Sequence, residues 1–160
     1  MRKLLLFAFI LLAACNKESL THKSNGSVNY TIEGDTIQIV DSASGSEAKW
    51  TYLNNPSNGY ALEAYYAKPG GEVLYRILFY IKTNTIETGR NYSPEVTGTI
   101  LRNSTDYAST QDIEGTSITI QFNEQKDQTL TGKFTGTLKN LTTNEFVEVS
   151  GAFDHVRLIK

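Results

Sequence analysis

Along most of the chain apolar and polar residues alternate with a period of two, the pattern of a strand that buries one face. The clearest run is Thr129 to Lys139. Leu130, Gly132, Phe134, Gly136 and Leu138 share one face, while Thr129, Thr131, Lys133, Thr135, Thr137 and Lys139 share the other. Glycine on a buried face bends a strand or leaves space for a large group to pack across it. Ile118, Ile120 and Phe122 alternate with Thr119 and Gln121, and Ile37 and Ile39 with Thr36 and Gln38. Val28, Tyr30 and Ile32 alternate with Asn29 and Thr31. Tyr60 to Ala67 places Tyr60, Leu62, Ala64 and Tyr66 on one face, whereas Glu72 to Ile81 (EVLYRILFYI) is apolar on both. Lys68-Pro69-Gly70-Gly71 predicts a hairpin turn between these two strands, and Gly34-Asp35 another, since glycine tolerates the positive φ of a tight loop. Lys82 to Val96 reads as one long loop around Pro94.

No stretch of ten residues carries a helical stripe, so the fold class is all-β. About nine or ten short antiparallel strands suggest a sandwich or a closed barrel. The sandwich is preferred because Glu72–Ile81 has no polar face to turn to solvent; a lipocalin-like β-barrel is the alternative. Residues 28–160 form the single all-β domain.

The start of the chain follows a different rule. Leu4 to Ala14 is unbroken apolar or small and follows Arg2 and Lys3. A membrane-spanning helix needs about 20 such residues, so residues 1–14 read as a secretory signal peptide. Leu12-Ala13-Ala14-Cys15 resembles the bacterial lipobox. That resemblance implies cleavage between Ala14 and Cys15, a diacylglyceryl thioether on the Cys15 sulfur, and a further acyl chain such as palmitate on the new amino group. Two or three chains anchor a protein stably where one binds marginally. Asn16 is not the Asp that holds many enteric lipoproteins in the inner membrane, which favours the outer membrane. Residues 16–27 (NKESLTHKSNGS) are polar and aperiodic, so 15–27 is read as a lipidated Cys and flexible linker. Its reach is at most about 40 Å extended and roughly 20 Å as a coil.

Removing residues 1–14 from 160 leaves 146, enough for one domain. Loss of Arg2 and Lys3 lowers Lys+Arg from 15 to 13 against 17 Asp+Glu, so the net charge moves from −2 to −4. Nothing forms a basic patch that would draw a phosphate backbone, which argues against nucleic acid as a partner. The lone cysteine is consumed by lipid, leaving the domain without disulfide or thiolate chemistry.

Candidate chemistry is sparse, and no cofactor, metal site or catalytic residue is assigned. The histidines are His22, in the tether, and His155, beside Asp154. Asp154-His155 could orient an imidazole as a base, but strand neighbours point to opposite faces, and a solvated histidine is the plainer reading. Asp106, Asp112 and Glu114 share a segment whose spacing fits no calcium loop. No G-x-S-x-G elbow, phosphate loop or zinc-protease motif occurs. The aromatics are the remaining lead. Trp50 and Tyr52 lie on one face of a short strand, with Tyr65 and Tyr75 as neighbours, and exposed rings could stack on sugars. In so small a sandwich, however, large rings mostly fill the core.

The C-terminal third carries Gly132-Lys133-Phe134-Thr135-Gly136-Thr137-Leu138 and then Val147-Glu148-Val149-Ser150-Gly151-Ala152-Phe153-Asp154-His155-Val156. This pattern resembles the ending of small uncharacterised lipoproteins of Bacteroidetes-type bacteria, as do the lipobox and short tether. The resemblance implies a Gram-negative host and no particular reaction. It also implies O-glycosylation at Asp-Ser/Thr-apolar triplets, which Asp41-Ser42-Ala43 (Ser42) and Asp35-Thr36-Ile37 match. The expected function is a non-enzymatic binding or structural module of the envelope, anchored in the membrane through lipid on Cys15. Its expected partner is a glycan or another envelope protein. A carbohydrate-active hydrolase or lyase on a β-scaffold, or an enzyme inhibitor, is the alternative.

Overall fold

The computed structural model describes residues 26–42, 45–54 and 58–160. Ala14, Cys15 and His22 lie outside the described residues, so the expectations placed on them rest on sequence. The strands are β1 (Ser27–Ile32), β2 (Asp35–Val40), β3 (Ser46–Leu53), β4 (Gly59–Ala67), β5 (Val73–Ile81) and β6 (Asn91–Tyr92). They continue with β7 (Val96–Arg102), β8 (Thr105–Ser109), β9 (Ser117–Lys126), β10 (Thr129–Asn140) and β11 (Phe146–Ile159). No helix occurs among the described residues.

The all-β sandwich is the observed architecture. One layer runs β2-β1-β11-β10-β9-β6 and the other β3-β4-β5-β7-β8. Two strands carry the hydrogen bonding around the corners between them. Arg157, Leu158 and Ile159 of β11 pair in parallel with Lys49, Trp50 and Thr51 of β3. Lys139 and Asn140 of β10 pair with Ala108 and Tyr107 of β8. Corner strands that switch sheets are a known device for closing a sandwich. These short junctions replace the even stagger of a barrel, and the interior is filled by side chains from two opposed faces.

That interior is organised by rings laid over glycines. Phe153 pairs with Gly132, Phe134 with Gly151, and Phe79 with Gly98. In each pair the phenylalanine ring occupies the space where a glycine Cβ would stand. The rings then meet across the layers. Phe79 and Phe134 pack edge to face at 4.9 Å, and Trp50 lies 5.2 Å from Phe122 and 5.3 Å from Phe153. A strand glycine costs about 0.5–1 kcal/mol, while burying a phenylalanine yields roughly 1.5–3 kcal/mol, so the exchange favours the fold.

Next to Gly132 the first layer bends. Between Leu130 and Gly132 of β10, the partner β11 steps back three residues, from Val156 to Phe153. On the other side, β9 steps from Glu124 to Phe122 while β10 advances from Thr131 to Gly132. One extra residue on each flank gives bulges that increase twist and redirect the strands. Thr131 holds the bend: its hydroxyl accepts the His155 amide at 3.0 Å and donates to Asp154 Oδ1 at 3.2 Å. Beyond this bend β11 leaves β1 and reaches β3.

Four sequence expectations change. The first tight turn is Glu33-Gly34, with φ of 50° and 83°, because a hairpin of this type needs positive φ at both central residues. The Lys82–Val96 loop contains β6, drawn onto β9 by the fully buried Tyr92. Glu72–Ile81 does turn a face to solvent: Ile77, Phe79 and Ile81 are buried while Leu78 is 40% exposed. The β11–β3 junction makes the sheet mixed, and the strands number eleven among the described residues.

Two outcomes test this account. In Gly151→Ala the new Cβ would stand 2.5 Å from both the Asn29 carbonyl oxygen and the Phe134 ring. A loss of about 1–3 kcal/mol is expected from such overpacking, read as the urea midpoint; an unchanged midpoint would remove the interlock. Tyr30 is 1% exposed, its hydroxyl has no partner among the described residues, and burial raises its pKa well above the phenol range. A raised pKa favours the neutral form in the folded state. Stability should therefore be level below the ordinary phenol value of about 10 and fall as pH rises past it. Tyr30→Phe should match or exceed the parent's stability at neutral pH, since it deletes an unpaired buried group, and should flatten the alkaline decline. An equally steep decline in the variant would count against this.

Candidate functional site

The outer face of the first layer carries an ordered set of hydroxyls. Register places Thr36, Thr31, Ser150, Thr135 and Thr119 side by side across β2, β1, β11, β10 and β9. The next row reads Gln38, Asn29, Ala152, Lys133 and Gln121. These are the polar positions of the period-two runs, and the inward glycines and rings hold their strands in register. Adjacent strands lie about 4.8 Å apart, so the hydroxyl row has a regular pitch.

Over β11 this face sinks into a shallow concavity of about 460 Å³, lined by Thr31, Glu33, Gly34, Thr135, Val147, Glu148, Val149 and Ser150. One wall is the β1–β2 turn. Arg102, reaching from the second layer, pairs with Glu33 Oε2 at 2.6 Å and also with Asp35. Tyr107 donates to Glu33 Oε2 at 2.9 Å. Burial, and then this bond to Glu33, push the Tyr107 hydroxyl pKa up. A side chain from the opposite layer thus fixes the wall. Glu148 accepts from the Thr137 hydroxyl at 2.8 Å. Phe146 follows the outward parity of Glu148 and Ser150, pairs with Lys139, and is 53% exposed. Its ring lies against Gly115.

A larger concavity of about 690 Å³ lies at the opposite end, lined by Ile86, Glu87, Thr88, residues 125–128, Leu158 and Lys160. It forms where the β9–β10 turn meets the end of β11, the Leu158 amide bonding the Gln128 carbonyl at 2.7 Å. The chain enters the fold at this end, with Gly26 against His155 and Val156.

The aromatic lead from sequence is corrected. Trp50 is wholly buried between Phe122 and Phe153, so its ring has no face free for a sugar. Tyr52 shares its inner face, half-buried, and packs on Tyr60 at 5.0 Å. Tyr65 points outward and donates to Glu47 at 3.1 Å, which raises its pKa; Tyr75 instead stacks with Tyr66 at 6.3 Å. Asp154 and His155 do not lie on opposite faces. The bulge, with His155 at φ 49°, exposes both and sets His155 Nδ1 2.8 Å from Asp154 Oδ1. Asp106 lies within β8, apart from the Asp112–Glu114 turn, and no group of three metal-binding side chains forms among the described residues. Ser42 is exposed and its hydroxyl lies 3.0 Å from that of Ser46, while Thr36 lies on β2, 3.2 Å from Thr31.

Phe146, Glu148 and Ser150 carry no catalytic or ligand-binding motif. Their shared face was visible in the alternation of β11, but their meeting with Thr31 and Thr135 required the pairing of the β10–β11 hairpin with the distant β1. No protein-family model, curated protein or solved structure matches the chain.

Arg102→Met tests the clasp. Partly exposed ion pairs contribute about 0–1 kcal/mol, so global stability should change little. Amide hydrogen exchange at Gly34 and Asp35 should accelerate locally. A global loss of several kcal/mol with no local change would contradict this role.

Proposed function

We propose that this chain is a lipid-anchored binding module of the bacterial outer envelope that catalyses no reaction of its own. The observation that carries the reading is the opposition of two features on one sheet. The chain enters at Ser27, beside Asp154, and the concavity opens beyond Thr31 at the other end of the same strand. Six residues of strand separate Ser27 from Glu33, about 20 Å. A tether to lipid on Cys15 would hold the first end toward the membrane and turn the recess away from it. The lipobox-like Leu12–Cys15 and the polar linker support the anchor, and the kinship with Bacteroidetes-type lipoproteins belongs to the same proposal.

The arrangement of polar groups supports binding over catalysis. Glu33 is committed to Arg102 and Tyr107, Glu148 to Thr137, and His155 stands outside the recess, paired with Asp154. No acid and base converge on one point there, as hydrolysis or elimination requires. A second reading, a protein partner, is favoured by the outer face of the other layer. There Leu78, 40% exposed, neighbours the partly exposed Tyr80 and Leu101.

Expression in a Gram-negative host tests the anchor. The mature chain should begin at Cys15, carry the mass of its acyl chains and sediment with outer membranes, whereas Cys15→Ser should appear in the soluble fraction. An unmodified Cys15 thiol on a chain still bearing residues 1–14 would overturn the reading.

A further inference from the structure

We infer that the recess over β11 binds a short neutral oligosaccharide, or one stretch of a neutral polysaccharide, lying along β11 from Phe146 to Ser150. The inference rests on the binding-module reading and names its ligand.

Three observations converge. The floor and sides offer hydroxyls from Thr31, Thr135 and Ser150, each able both to donate and to accept, which matches a ligand made of hydroxyls. Glu148, whose Oε1 already accepts from Thr137, stands among them with its second oxygen as an acceptor for a sugar hydroxyl. Phe146, two positions further along the same face, presents a half-exposed ring to the apolar face of a pyranose. Four residues of strand separate Phe146 from Ser150, about 13 Å, the length of a short oligosaccharide.

The same groups disfavour other ligands. An anionic chain would meet Glu33 and Glu148 along the recess, with Lys133 one row away and Lys139 beside Phe146 as the cations of the same face. An apolar peptide would strip water from hydroxyls and leave them unpaired, at about 1–3 kcal/mol for each buried group. A peptide strand cannot add along residues 149–154, where β11 is flanked by β1 and β10 and its backbone groups are already paired.

The test uses the lipidated chain in non-ionic micelles, run through gels containing laminarin, mannan, amylose or hydroxyethyl cellulose. Heparin and polygalacturonate serve as anionic counterparts. At least one neutral polymer should retard the chain and neither anionic polymer should. Ser150→Glu and Phe146→Ala should each weaken retardation tenfold or more, with unchanged circular dichroism and urea midpoint. Leu78→Lys, on the other layer, should leave it intact. If the site variants prove unstable, Thr135→Val, which keeps the side chain's shape while deleting its hydroxyl, should still weaken retardation at least threefold. The assignment fails if no neutral polymer retards the folded chain, if retardation survives the site variants, or if an anionic polymer retards it more. A photo-crosslinker at position 150 that captures a protein in place of glycan would also overturn it. An acylated chain that binds none of these polymers defeats the ligand and leaves the envelope module standing; a chain without acyl groups defeats the module itself.

Discussion

The fold depends on an accommodation between rings and bare backbone. Two sheets can approach only if the large side chains on their inner faces find space, and here that space lies within the partner strand of the same sheet. Phe153 over Gly132, Phe134 over Gly151 and Phe79 over Gly98 each fill the volume a side chain would have taken. The arrangement is directional. Slipping either strand by one residue would set a ring against a side chain and turn the polar face inward. One constraint therefore fixes pairing, inter-layer distance and the composition of the outer face together.

The bend beside Gly132 extends that logic. With no Cβ at Gly132, β9 and β11 can each carry an extra residue at the same level, and Thr131 uses one hydroxyl to bond the displaced backbone and Asp154. The closed corner at β3 follows from the altered course of β11. His155 shows how such a bend misleads a reading by sequence alone. The rule that neighbours face opposite ways holds for a regular ladder, and a bulge suspends it for one residue.

Much of the architecture was legible in the alternation of residues. The faces of Thr129–Lys139 were readable to the residue, and so was the room above its glycines. What escaped depended on distant pairing: the two-residue β6 held by Tyr92, the parallel junction of three residues, and the depth at which Trp50 lies. Periodicity reports which face is buried and not what lies on the other side. The recess is the extreme case, because β1 supplies one side and the β10–β11 hairpin the other, over a hundred positions away in sequence. Leu78 escaped for a different reason. A strand apolar on both faces suggests two buried sides, yet in this sandwich its outer side stays open.

The pairing of β1 with β11 has a consequence for how the molecule comes into being. A chain that emerges amino-end first presents β1 and β2 early as an isolated hairpin, and such hairpins are at best marginal in water. The partners of β1 are residues 149–154, and the last three residues of β11 close the corner at β3. Contacts so remote in sequence form slowly, and these cannot form at all until β11 has followed β1 by more than a hundred residues. The layer that β1 belongs to is therefore completed late, only after β11 has been made.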